Sequence, residues 1–246
     1  MATASRWVAG VDGCPAGWVV VLSQIEGRAA PMVRVVFTFA EVLALPERPE
    51  VIAVDIPIGL PDKAGLGGRA PDIAARAVLG ARQSAVFSVP ARAAVMEVDY
   101  RAACDVAYAH SDPARKVSKQ TFNLFPKIRE VDALMTPELQ GRVFECHPEA
   151  AFWAMAGERA LELPKKVKSR PNPPGLELRR GLLEAAGFPR AFLEAVPFPR
   201  AVAGADDVLD ACACAVTASR IVAGVARRFP EKPLVDGRGL RQEIWA

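Results

Sequence analysis

No stretch of this 246-residue chain approaches the ~20 consecutive apolar residues that a membrane-spanning helix needs. A secretory leader is not expected either, because Asp12 interrupts the apolar run that follows Arg6 before a signal-type core can form. Together these absences point to a cytoplasmic protein with no membrane partner. Charge of one sign is missing too. Thirty-one Lys+Arg face 28 Asp+Glu, a net charge of +3, too mild for a broad duplex-binding surface, so any basic patch must be local. The chain has no CxxC pair. Its five cysteines are an odd number scattered through apolar stretches, the pattern of reduced thiols, and the CxC of Cys212 and Cys214 without a second pair argues against a zinc site. There is no internal repeat, and no aromatic stripe interleaves with the basic residues. Phe87, Phe122 and Phe125 sit in apolar contexts and read as core.

The chain has the means to build a core. Hydrophobic residues make up 51% of it, and a chain of this length buries most of its apolar surface without a disulfide or metal staple. Trp7–Asp12 and Trp18–Ile25 are apolar runs split by a short Gly/Pro turn, the signature of a β-hairpin. Val33–Phe39 is a third run, and 40–45 reads as a short helix. Val51–Ile56 is apolar without alternation, as in a strand buried on both faces and paired in parallel. Helices are predicted over 72–79, 98–110, 127–135, 148–156, 176–186 and 206–228. The last carries acidic residues in its first turn and Arg227–Arg228 in its last, matching the helix dipole. A strand is predicted over 142–146, and 81–92 and 163–175 read as irregular basic segments.

Four carboxylates stand out. Asp12 ends the first strand and Asp55 the buried one. Asp207 and Asp210, three apart, share a face of the last helix. A lone Asp at a strand end is most often a turn residue, and Asp206 and Asp207 also suit a helix N-terminus. Asp55 and Asp210 lie deeper, in surroundings where an unpartnered carboxylate is costly. If the two strands are neighbours and the helix crosses them, the four converge. Such a set suits a hard divalent cation, Mg²⁺ or Mn²⁺, and the chemistry such ions perform is phosphoryl transfer.

GVDGCPAGW (10–18), VDIPIGLP (54–61), ARxxLGxRxSxVFxxPxR (75–92), PKIxEVD (126–132), ECHPE (145–149) and DDVLDA (206–211) together resemble the domain of unknown function 429 family, described as predicted ribonuclease H-like nucleases. The closest branch in pattern is that of the Holliday-junction resolvases, whose final helix also carries two aspartates three apart followed by alanine. The resemblance implies one RNase H-like domain over 1–246. Its α/β architecture would be a mixed sheet flanked by helices, with a large helical insertion, roughly 59–141, after the fourth strand. It maps Asp12, Asp55, Asp207 and Asp210 onto catalytic metal-binding carboxylates. The resolvases usually carry Glu where this chain has the shorter Asp55.

Glu145, at another strand end, is expected to serve as a further ligand or a base that positions water. His147 is a candidate proton shuttle, since histidine is the side chain suited to that work at neutral pH, although His147-Pro148-Glu149 also suits a plain helix start. For substrate, Arg82 in the irregular segment, Lys127 and Lys166 are candidate phosphate contacts, since cationic forks and points match phosphate. The neighbouring Lys165, Lys168 and Arg170 read by default as a solvated charge run. The expected activity is metal-dependent hydrolysis of a phosphodiester in nucleic acid or a nucleotide by an activated water. The rival readings are a phosphotransferase of the actin and sugar-kinase type, for which Gly13 and Gly17 offer only a thin phosphate loop, and a non-catalytic binding scaffold.

Overall fold

The computed structural model describes residues 5–26, 29–168 and 170–246. Five strands form the central sheet: β1 (Trp7–Cys14), β2 (Gly17–Gln24), β3 (Met32–Val36), β4 (Val51–Val54) and β5 (Val143–Glu145). Their order is β3-β2-β1-β4-β5. β2 runs antiparallel to both β1 and β3, while β1, β4 and β5 are mutually parallel. The protein is therefore α/β with a mixed central sheet.

Strand alternation sorts the side chains onto two faces. Ala9, Val11, Ile52 and Val54 join one buried cluster with Trp18 and Phe39. Val8, Val51 and Ala53 join the other, with Ala211, Ala215 and Ala218 of the longest helix. The first face is covered by α1 (Phe39–Leu43) and by helices from between β4 and β5. In that stretch α2 (Ala70–Val78) packs in a separate cluster with Ala150, Trp153 and Ile244, and the helices on the face include α3 (Arg92–Met96), α4 (Tyr100–Ala109) and α5 (Phe125–Leu134). The second face is covered by α6 (Pro148–Met155), α7 (Pro173–Ala185) and α8 (Ala205–Val222).

One glycine sets how closely α8 lies on the sheet. A Cβ on Gly10 of β1 would sit 2.0 Å from the Ala211 carbonyl oxygen and 2.1 Å from the Ala215 nitrogen. Backbone meets backbone there because neither side carries more than a methyl group. The Gly10, Ala211 and Ala215 set thus fixes the crossing that brings the start of α8 to the end of β1.

The last helix is shorter than its sequence pattern suggests. It stops at Val222, and Gly224 follows in a left-handed conformation at φ 70°, a common way to end a helix. The chain then makes a hairpin that the sequence reading did not anticipate, β6 (Arg228–Val235) with β7 (Arg241–Trp245). Pro230 and Pro233 argue against a central strand but are tolerated at an edge with an irregular register. The 163–175 segment also carries a tight two-residue pairing, Lys166–Val167 with Arg170–Pro171. All five cysteines are free and buried. Among the described residues no helix is long and apolar enough to cross a membrane.

Candidate functional site

The alternation that builds the sheet also aims its acids. Asp12 has the same parity on β1 as Val8 and Gly10, so it faces α8. Asp55 follows Val54 and shares the parity of Val51 and Ala53, so it faces α8 as well. The two are neighbours, since Val11 pairs with Val54 and the Asp55 N–H donates to the Val11 carbonyl at 2.9 Å. Asp210 comes down from α8 one residue before the Gly10–Ala211 contact. Asp12 is 8% exposed and Asp210 3%.

Burial and mutual repulsion leave these carboxylates reluctant to ionise. Burial first, then Asp55 and Asp210, push Asp12 well above the usual carboxylate range. Burial raises Asp55 to about 6; His147 opposes that rise and Asp210 adds to it. Burial also raises Asp210, against the pull of Lys165. Lys165 is the cation at this site. Its Nζ donates to Asp210 Oδ2. Burial disfavours its charge, but Asp210, Asp12 and Asp55 together outweigh that and raise its pKa. Asp210 Oδ1 is buried and has no hydrogen-bond partner. Among the described residues no three acidic, cysteine or histidine side chains meet at metal-ligand distance. The donors are nonetheless all oxygens, three carboxylates share one lysine, and one oxygen is unclaimed. Oxygen donors are what a hard cation takes.

Asp207 is more peripheral. Its Oδ2 accepts from the Gly204 N–H at 2.8 Å, a helix-start bond, and burial raises its pKa. It shares a surface recess with Asp206, Lys127 and Lys166, and Lys166 pairs with Asp206 at 2.5 Å.

The structure puts Glu145 at the expected end of the sheet but on the opposite face. It pairs in register with Val54, whose side chain lies on the face away from α8. There Arg69 holds it with two contacts, at 2.5 and 2.9 Å, and the Ile58 N–H donates to it at 2.7 Å. Arg69 also binds Asp72 at 2.8 Å, so both buried acids share one arginine. In the same sequence motif Glu149 is gripped by the buried Arg179 at 2.6 and 2.7 Å.

A cleft of about 410 Å³ opens beside the acids, lined by Asp12, Asp55, His147, Phe87, Ser118, Thr121 and Lys127. Lys127 lines this cleft. Its Nζ sits 4.5 Å over the Trp18 ring, donates to the Gly17 carbonyl, and is lowered in pKa by burial. Glu130, one turn further along, accepts from Trp18 Nε1 at 3.1 Å. These two contacts explain why GVDGCPAGW and PKIxEVD occur in one chain: the second motif braces the first. Arg82 lies in the single-turn segment Gly80–Ala85. Its neighbours Ser84 and Ala85 line the cleft while Arg82 does not. The cation the sequence reading passed over is Lys165. Its only sequence signal is a lysine following Pro164 in a loop, indistinguishable there from a solvated run.

The family described as "Protein of unknown function (DUF429)" matches residues 10–234. The chain belongs to the DUF429 family. No curated protein and no solved structure matches it. Within this DUF429 chain the matched span begins at Gly10, where β1 meets α8, and takes in every residue of the acid cluster and the cleft.

Proposed function

We propose that this DUF429 protein is a divalent-metal-dependent phosphodiester hydrolase of the RNase H-like type, acting on nucleic acid or a nucleotide. The observation that carries the reading is the triad Asp12, Asp55 and Asp210. These carboxylates, Asp12 and Asp210 buried and Asp55 half-buried, come from two adjacent parallel strands and one helix, with a single lysine among them in the described residues and an unclaimed Asp210 oxygen. The sheet order β3-β2-β1-β4-β5 with β2 alone reversed supports the RNase H-like assignment, and the long helical segment between β4 and β5 supports an insertion there.

Asp12, Asp55 and Asp210 would hold the ion, with Asp207 at its outer edge. When bound, Mg²⁺ or Mn²⁺ supplies a Lewis acid for a phosphoryl oxygen and an activated water. The protein supplies the rest. Lys127, fixed over Trp18, offers positive charge at the cleft mouth for a non-reacting phosphate oxygen. His147, on the cleft wall beside Asp55, would exchange a proton with the leaving oxygen. Lys165 offsets part of the acid charge by holding Asp210 Oδ2, which leaves Oδ1 for the ion. Glu145 serves by position, tying the Ile58 backbone to Arg69 beneath the cleft.

The test is a panel of single-stranded, duplex and branched DNA and RNA, nucleotides and a small aryl phosphodiester, each with Mn²⁺. Hydrolysis that Asp12→Asn and Asp210→Asn abolish supports the reading. Phosphoryl transfer from ATP without hydrolysis of any diester would replace it with the phosphotransferase. Diester hydrolysis that survives both substitutions would place the chemistry elsewhere.

A further inference from the structure

A second pocket, of about 200 Å³, adjoins the carboxylate cleft, and Ser118 and Thr121 line both. Its floor is apolar, formed by Val89, Pro90 and Val117, and Arg115 and Lys116 stand at its edge. Both walls are braced by the chain's own hydrogen bonds. On one side Ser118 Oγ accepts from the Thr121 N–H at 3.0 Å and lies 2.9 Å from Thr121 Oγ1. Ser111 Oγ accepts from the Arg115 N–H at 2.8 Å. On the other side Gly67 and Gly68 are both left-handed, at φ 88°, and a Cβ on Gly68 would come within 2.6 Å of Asp72. Arg76 donates to the Gly67 carbonyl. The pocket therefore exists before any ligand arrives, which lowers the cost of filling it. The charges at its edge are poorly satisfied. Lys116 is 3.9 Å from Asp105, with both side chains mostly in solvent.

We propose that this pocket is a subsite for the nucleoside phosphate adjoining the reacting phosphodiester. A sugar or base would rest on the Val89, Pro90 and Val117 floor, and its outer phosphate would meet Arg115 and Lys116. The proposal rests on the reading of the cleft as the site of the reacting phosphate, but binding at the pocket requires no metal. A pocket of this size, walled on both sides, takes one unstacked unit. The favoured substrate is thus a single-stranded end or a short oligonucleotide, not a continuous duplex.

The experiment measures binding, in EDTA, of a deoxydinucleotide with and without a terminal phosphate. The proteins are the parent, Gly65→Leu and the double variant Arg115→Ala/Lys116→Ala. Gly65 lines the pocket with an ordinary φ, and a Cβ there meets nothing nearer than the Gly68 carbonyl at 4.0 Å, so leucine fills the space without backbone strain. The parent should bind the phosphorylated dinucleotide at least about tenfold more tightly than the unphosphorylated one. The double variant should lose that preference, and Gly65→Leu should weaken both ligands about tenfold with its melting temperature unchanged. Hydrolysis of the small aryl phosphodiester, which needs only the cleft, should be the same in all three proteins. Failure of the parent to bind either dinucleotide, or equal binding by all three proteins, overturns the subsite. Binding that follows the expected pattern without diester hydrolysis sustains the subsite and removes the hydrolase. Hydrolysis by a parent whose dinucleotide binding ignores the pocket substitutions does the reverse.

Discussion

The acids in the interior of this fold divide on whether an arginine meets them. Glu145 and Asp72 share Arg69, Glu149 has Arg179 to itself, and Asp132 lies between Arg92 and Arg238. Asp12, Asp55 and Asp210 share one lysine; burial raises all three in pKa, as it raises Glu145 to about 7 against the pull of Arg69, so the sets differ in their partners and not in the sign of the shift. Burying a carboxylate without a partner is expensive, and the first set shows that this chain provides partners where only the fold is at stake. The second set has no arginine, and its three carboxylates share Lys165; under the proposed function that place holds a cation the chain does not carry.

The contrast is broken most forcefully by removing an arginine. Arg179→Met leaves Glu149 buried and unpaired, and urea unfolding should show a loss of about 3–5 kcal/mol. Asp210→Asn removes charge from the crowded set and should unfold in EDTA at the same or a higher urea concentration than the parent. A loss comparable to that of Arg179→Met would mean that Lys165 pairs with Asp210 as firmly as arginine pairs with the others.

Lys165→Met sharpens the comparison from the other side. If the lysine competes with the ion for Asp210, its removal should tighten Mn²⁺ binding about tenfold, worth about 1.4 kcal/mol, as read by calorimetry. Unchanged or weaker binding would make Lys165 an aid to the site and not a competitor.

A smaller effect is expected from pH. Asp55 titrates at about 6 in the fold against 3.8 for an ordinary aspartate. Between those values the folded protein holds a proton that the unfolded chain has released, so Asp55 lowers stability as pH rises through that window. Asp55→Asn should therefore gain on the parent from pH 4 to 6 in EDTA and stay level above. A difference that does not change with pH would remove the burial argument for this residue.

The smallest effect belongs to the surface. Arg190 meets Glu177, Glu184 and Glu194 with every partner about half exposed. Arg190→Ala should shift urea unfolding far less than Arg179→Met, despite more ionic contacts than Arg179 makes.

Much of the sheet and the long helix could be read from the sequence, because apolar runs broken by glycine and proline report strands directly. Asp12, Asp55 and Asp210 were legible for the same reason: each interrupts a run that should be apolar throughout. Glu145 was legible as a strand end but not as to face, because three residues of strand fix no parity until β5 is registered against β4. Its partner Arg69 stands 76 residues away, and Lys165 stands 45 residues from Asp210. Such pairings are made by tertiary packing and leave no local trace. The β6–β7 hairpin was hidden by its own prolines.

Asp12, Asp55 and Asp210 are proposed to form a cation site, and a calorimetric titration of Mn²⁺ into the metal-free protein at pH 7.5 tests this most directly. Run on the parent, Asp12→Asn and Glu145→Gln, it should show saturable binding by the parent and by Glu145→Gln, and none by Asp12→Asn. At an ion concentration about 100 times Kd the parent should also gain about 2.7 kcal/mol in unfolding free energy. No binding by the parent, or equal binding by Asp12→Asn, would contradict it.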